Sequence, residues 1–260
     1  MALLRIESVT KAFGGLLALK KVSFEITAGE IVSLIGPNGA GKTTLFNCIN
    51  GILPFDEGDV IFEGKSLREK KPHEAAELGL ARTFQTTRLF GKMTILENAV
   101  LGRHPRLRTG ILSALVRPRW VAAEENEVRE RALKVLGLFG ERLLPRIGEF
   151  ANTLSYANKR RLEIARALIA EPKVLLLDEP TAGMNPHETE VIVGLIRKIR
   201  DMGITVFLIE HDMKVIMGAS DRIVVLDHGE KIAEGTPEQI QSDARVIEAY
   251  MGKRYRDASA

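Results

Sequence analysis

Ile31-Val32-Ser33-Leu34-Ile35 runs into Gly36-Pro37-Asn38-Gly39-Ala40-Gly41-Lys42-Thr43-Thr44, which leads into Leu45-Phe46-Asn47-Cys48-Ile49. The first run predicts a buried strand and the last a helix. Between them the spacing is G-x-x-x-x-G-K-T. Glycines at these places let the backbone curl so that successive N–H groups point inward at phosphate oxygens. Lys42 reaches terminal phosphates, and the Thr43 hydroxyl suits Mg²⁺. A helix starting near Lys42 adds its positive N-terminal end. A glycine-rich turn with a solvated lysine is the competing reading, and the flanking strand and helix argue against it.

The chain has 260 residues, 45% hydrophobic and 27% charged, which is ordinary for a globular protein with one large core. No apolar run approaches a membrane span, and Met1 to Glu7 lacks the apolar core of a secretory signal. The lone cysteine, Cys48, forms no disulfide framework and no zinc cluster, which makes the cytoplasm the expected compartment. Net charge is only +3 and does not suggest nucleic acid. From Arg82 to Arg119, however, eight Lys/Arg stand against one acid, Glu97, so this block is +7 and the remainder −4 (3 − 7). Such a block faces lipid headgroups, an acidic partner, nucleic acid or simply solvent.

Working outward, residues 3–10, 21–26 and 59–63 read as strands, with Lys11 to Gly15 as a turn carrying Phe13. Pro72 to Leu78 reads as a short helix, and Arg82-Thr83-Phe84 as a short strand before Gln85. Residues 94–101 are helical in pattern, 103–119 an irregular arm, and Trp120 to Phe139 a long amphipathic helix. The stretch 86–165 thus reads as a helical insertion. Val174-Leu175-Leu176-Leu177 and Ile204 to Ile209 are continuous apolar runs, expected of strands buried on both faces. Pro186 to Arg200 and 213–218 are helices, 222–226 and 231–233 strands, and 236–251 a helical tail. Alternating strands and helices predict an α/β fold with a mostly parallel sheet covered on both sides.

Two strand ends carry acidic chemistry. Val174 to Leu177 leads into Asp178-Glu179-Pro180, where a carboxylate sits at the ligand edge of a parallel sheet. Asp178 is placed for the metal held by Thr43, and Glu179 for polarising an attacking water. Glu210-His211-Asp212 repeats this after the next strand, with His211 able to contact a γ-phosphate. Gln85 offers a polar side chain to metal or water.

These motifs, in this order, resemble the nucleotide-binding subunits of ABC transporters over nearly the whole chain. The phosphate loop 36–44 is followed by Gln85 and by Leu154-Ser155-Tyr156-Ala157-Asn158 with Lys159 to Leu168. Next come Asp178-Glu179-Pro180, Thr181 to Pro186, and His211. Phe13-Gly14-Gly15, Arg82 to Gln85, Ile209 to Met213 and the ending Val246 to Gly252 are similar to the subunits of branched-chain amino-acid importers. The basic arm is similar to that of the longer motor subunit in those systems.

The resemblance implies a single nucleotide-binding domain over 1–260. Its fold would be a P-loop NTPase with a mostly parallel core, an N-terminal antiparallel β portion and a helical subdomain inserted at 86–165. The implied ligands are ATP and Mg²⁺. Phe13 would stack on adenine. Gly36, Pro37, Asn38, Gly39, Ala40, Gly41, Lys42, Thr43 and Thr44 would hold the phosphates. Thr43, Gln85 and Asp178 would serve the metal, Glu179 would be the general base, and His211 would contact the γ-phosphate. Ser155 would face the ATP of a second ATP-binding subunit, giving a heterodimer, with a homodimer as the alternative. Here the signature departs from the usual Leu-Ser-Gly-Gly-Gln at Tyr156, Ala157 and Asn158. The implied function is the ATP-hydrolysing motor of an importer of branched-chain or other hydrophobic amino acids. It would sit on the cytoplasmic face of the cell membrane against permease subunits, indirectly served by an external binding protein, with no nucleic acid. The arm 103–119 and the surface around 86–98 are the candidates for docking there. A lipid or export system, and a soluble ATPase acting on nucleic acid or ribosomes, are the alternatives.

Overall fold

The computed structural model describes residues 2–84, 88–106, 113, 116 and 118–251. Three five-residue apolar segments, β3 (Ile31–Ile35), β7 (Val174–Asp178) and β8 (Thr205–Ile209), are buried at every position. That follows from lying inside a sheet covered on both faces. With β6 (Leu80–Arg82), β9 (Arg222–Asp227) and β10 (Glu230–Gly235) they form a six-stranded sheet in the order β10-β9-β3-β8-β7-β6. All pairings are parallel except β10 with β9. A second sheet is antiparallel, ordered β2-β1-β4-β5, from β1 (Ala2–Phe13), β2 (Leu16–Thr27), β4 (Glu57–Phe62) and β5 (Lys65–Ser66).

The helix after the glycine loop, α1 (Lys42–Ile49), shares one apolar cluster with both sheets. Phe46 on α1 stacks 4.7 Å from Phe207 of β8, and Phe207 lies 5.7 Å from Phe24 of β2. Burying a phenylalanine is worth about 1.5–3 kcal/mol, so this trio fixes the base of the loop. The other face of the large sheet carries α3 (Ile95–Val100), α4 (Arg119–Gly137), α5 (Tyr156–Ile169), α6 (Pro186–Asp201) and α7 (Met213–Ala219). The helices between 95 and 169 have no separate core, because Ile95, Leu136 and Leu162 join Leu175, Leu177 and Val206 of the sheet in one cluster. Helix α5 continues to Ile169, past the residue 165 boundary drawn from sequence. α2 (Pro72–Leu78) starts on its proline as expected.

Three local expectations are corrected. The turn placed at 11–15 shrinks to Gly14-Gly15, because β1 stays paired with β2 as far as Phe13 against Leu16. The arm expected to be irregular contains a 3₁₀ helix, Leu101–Arg106, and α4 already begins at Arg119. The tail is two helices, α8 (Pro237–Ser242) and α9 (Ala244–Met251). Asp243 breaks it: its backbone is extended, and its carboxylate accepts the Arg245 N–H instead of continuing the helical ladder.

Candidate functional site

Because β3, β6, β7 and β8 run parallel, their carboxyl ends meet at one edge, where such sheets bind ligands. Register places Leu34 beside Ile209 and Ile209 beside Asp178. The glycine loop, Asp178-Glu179 and Glu210-His211 therefore emerge together.

The loop depends on its glycines where space is shortest. A Cβ on Gly36, at φ +149, would meet the Leu226 carbonyl oxygen at 2.0 Å; one on Gly41, at φ +102, would meet the Ala18 carbonyl oxygen at 2.5 Å. Gly39, at φ +84, faces open space, which suits close approach of a phosphate. Lys42 is buried, and its Nζ donates to the carbonyls of Gly36 (2.6 Å) and Pro37 (3.0 Å) across the loop. Burial pushes its ammonium below the ordinary lysine value, and the Glu179 carboxylate acts the other way. Thr43 is exposed and Thr44 half-buried at the start of α1. Pro37 is half-buried, Asn38 exposed and Ala40 buried.

Glu179 follows β7 with a positive φ of 48°, uncommon for a residue with a side chain. Its N–H donates to the Ile209 carbonyl at 2.9 Å, which pins this conformation to the end of β8. The side chain then turns to His211, whose Nε2 lies 2.7 Å from Glu179 Oε1. The two residues expected to do the chemistry are in direct contact. Glu210, buried beside them, had no assigned role. Its Oε1 accepts Thr181 N–H (2.9 Å) and Thr181 Oγ1 (2.5 Å), and its Oε2 accepts His211 N–H (3.0 Å). It ties the loop after Glu179 to the backbone of His211. Its place between a buried strand and His211 was the available signal.

Asp178, expected to support the metal, is buried at the end of β7, and its Oδ2 accepts from Arg82 at 2.9 Å. Gln85, expected at the metal, lies outside the described residues. The hard oxygens of Thr43 and Asp178 fit Mg²⁺, which is held by few protein ligands together with substrate phosphates. Among the described residues no three His, Cys, Asp or Glu converge into a metal cage.

Phe13 ends β1 half exposed, with Lys11 Nζ 5.6 Å from its ring. Asp56 steadies this end by accepting from Lys11 Nζ (2.9 Å) and Ala12 N–H (2.7 Å). Ser155 stands on another element, exposed as the N-cap of α5, its hydroxyl accepting the Asn158 N–H. Ala157 and Asn158 are buried, and Asn158 Oδ1 accepts from Arg161 at 2.7 Å. Tyr156 is half exposed, its hydroxyl 3.1 Å from the Arg160 guanidinium. Arg160 also donates to the Phe84 carbonyl and to Glu163 Oε2 at 3.2 Å. Glu163 Oε1 accepts Arg88 N–H at 2.8 Å. A buried Arg160–Glu163 pair thus holds Phe84 and Arg88, which flank 85–87.

The basic block is not one solvated face. Arg82 is buried against Asp178, and Arg103 pairs with Glu171 at 2.7 Å. Arg108 and Arg117 lie outside the described residues.

Comparison with known proteins agrees with this geometry. The model of the ABC transporter family matches residues 19–182. The model described as branched-chain amino acid ATP-binding cassette transporter matches residues 230–256. The chain is 44% identical to the high-affinity branched-chain amino acid transport ATP-binding protein LivG of Escherichia coli (strain K12), covering 96% of this chain and 98% of that one. An ATP-binding cassette of an ABC transporter in its ADP conformation superposes with a TM-score of 0.84 at 36% identity, covering 97% of this chain and all of the other. A dimeric cassette in a post-hydrolysis state with ADP and Pi gives 0.75 at 30%, covering 90% of this chain and 98% of that one. With its phosphate loop, its paired strand-end acids and its carboxy-terminal segment, the chain belongs to the ATP-binding subunits of ABC transporters, in the LivG branch.

Proposed function

We propose that this chain is an ATP-hydrolysing motor for import of branched-chain or other hydrophobic amino acids. Likeness to LivG over 96% of the chain supports the cargo class. It gives no support to a lipid or export system or to action on nucleic acid. The observation that carries the hydrolytic reading is the 2.7 Å contact between Glu179 and His211 at neighbouring strand ends beside the glycine loop.

In this reading residues 36–44 hold the phosphates through backbone N–H groups, and Lys42 exchanges its two loop carbonyls for phosphate oxygens. Thr43, Asp178 and Gln85 would hold Mg²⁺, which would supply positive charge against the phosphates. The Glu179 carboxylate accepts a proton from the attacking water, and His211 holds that carboxylate in place. Such a base contributes about 10²–10⁴-fold. Phe13 stacks on adenine. Ser155 and the start of α5 meet the ATP of a second ATP-binding subunit, a heterodimer partner. Hydrolysis removes the γ-phosphate that bridges the two subunits and lets them part.

The helical stretch 86–165 serves as the subdomain that receives the permeases at the cytoplasmic face of the membrane, and a binding protein delivers cargo from outside. None of the described helices is long and apolar enough to cross a membrane. Purification of the chain from its native membranes in mild detergent tests this. Two polytopic permeases and a second ATPase should accompany it. Recovery only with soluble or ribosomal proteins would overturn the transport reading.

A further inference from the structure

The guanidinium of Arg82 joins two elements that the hydrolytic reading requires to stay in register. Its NH1 donates to Asn47 Oδ1 at 2.7 Å, and its NH2 to Asp178 Oδ2 at 2.9 Å. Asn47 lies on α1 one turn after Thr43, and Asp178 ends β7. The side chains of Arg82 and Asp178 are 4% and 5% exposed. Rings flank the guanidinium, with Phe46 at 5.6 Å and Phe84 at 5.2 Å, so its plane has little freedom. One planar fork therefore spans the helix that carries Thr43 and the strand that carries Asp178.

We propose that Arg82 is a positioning residue for the metal site: it fixes the Asp178 carboxylate through Oδ2 and locks its distance to α1. The inference rests on the reading of Thr43 and Asp178 as the metal's protein ligands. The requirement on this residue is geometric as well as electrostatic. A buried carboxylate needs a counter-charge, and lysine could supply that. Only a rigid fork holds Asn47 and Asp178 at once. Partners of this kind, behind a ligand, typically change metal affinity about 10–100-fold.

The test separates positioning from plain stabilisation. The dissociation constant of a fluorescent non-hydrolysable ATP analogue is measured with Mg²⁺ and with EDTA, and the ratio gives the metal's contribution. Arg82→Lys and Arg82→Met should shrink that ratio about 10–100-fold and change the EDTA value less than about twofold. Asn47→Ala, which keeps every charge, should shrink it about 3–10-fold, an intermediate loss for one arm of the fork. It carries the test if the Arg82 variants do not fold. A loss equal in both conditions, or an unchanged ratio in Asn47→Ala and Arg82→Lys, would overturn the proposal. Asp178→Asn is the control. If it lowers the ratio while the others do not, the clamp alone is refuted. If it too has no effect, the metal reading of Asp178 falls and the clamp with it.

Discussion

Replacing Arg160 with methionine removes the centre of a buried network whose cost can be worked out. The side chains of Arg160 and Glu163 are 2% and 1% exposed. In Arg160→Met, the Phe84 carbonyl and Tyr156 hydroxyl lose a donor, and Glu163 keeps the Arg88 N–H and the nearby charge of Arg166. Breaking a buried pair from one side costs about 3–5 kcal/mol, an upper figure here because Arg166 still acts on the Glu163 charge. At about 2–4 °C per kcal/mol for a chain near this size, the midpoint should fall about 6–20 °C. The double variant Arg160→Met with Glu163→Gln keeps an acceptor for Arg88 and removes the stranded charge. It should lose only about 1–2 kcal/mol, the scale of hydrogen bonds left unmade.

The loss also depends on pH. Burial already pushes the Glu163 carboxyl above its ordinary 4.5, against the pull of the Arg88 N–H, Arg160 and Arg166. Without Arg160 it rises further. A carboxyl raised in the folded state favours folding below its unfolded value, and this benefit disappears as pH rises through the folded value. The Arg160→Met deficit should therefore be smallest below pH 4.5 and grow as pH rises above it. Urea unfolding followed by circular dichroism measures Arg160→Met, Glu163→Gln and the double variant. A single-variant loss below about 1 kcal/mol, or a double variant whose loss equals the sum of the two singles, would refute the buried-pair argument.

Gly36→Ala should lose nucleotide binding and at least about 1–3 kcal/mol from strain at this φ, since its Cβ would strike the Leu226 carbonyl. Equilibrium binding and thermal unfolding check this, and near-wild-type values would contradict the loop geometry. Cys48 lies on the buried face of α1, and its thiol is pushed up to about 12, chiefly by desolvation. It should resist a thiol reagent at pH 8 until urea unfolds the chain, so fast labelling of the native protein would contradict its place in the core. In the assembled complex, Ala157→Gly with Asn158→Gln should raise ATPase activity if these residues weaken the signature. An unchanged rate would remove that idea.

Sequence made the placing of the strand-end residues legible because it is local: a glycine loop after a strand, an acid pair after another, and His211 after a third. The sheet itself followed from the apolar runs at 31–35, 174–177 and 204–209. Contacts between distant segments were not legible. Arg82 and Asp178 are 96 residues apart, so Arg82 counted as one more charge of a basic block although it is buried against an acid. Glu210 read as half of an acidic strand end, while its three bonds depend on where Thr181 folds. The break at Asp243 was missed because helical periodicity carries through a residue whose side chain stops the helix. Gln85 and most of the basic arm lie outside the described residues, so their roles rest on the family resemblance.

Hydrolysis in the proposed mechanism depends most directly on Glu179 as the base. The measurement is ATP binding and ATP hydrolysis side by side in wild type and Glu179→Gln, in the complex purified from membranes. The amide keeps the shape of the carboxylate and can still pair with His211, but it cannot take a proton from water. Binding should stay within about threefold while turnover falls about 10²–10⁴-fold. Undiminished hydrolysis would contradict the account, and so would a loss of binding equal to the loss of turnover.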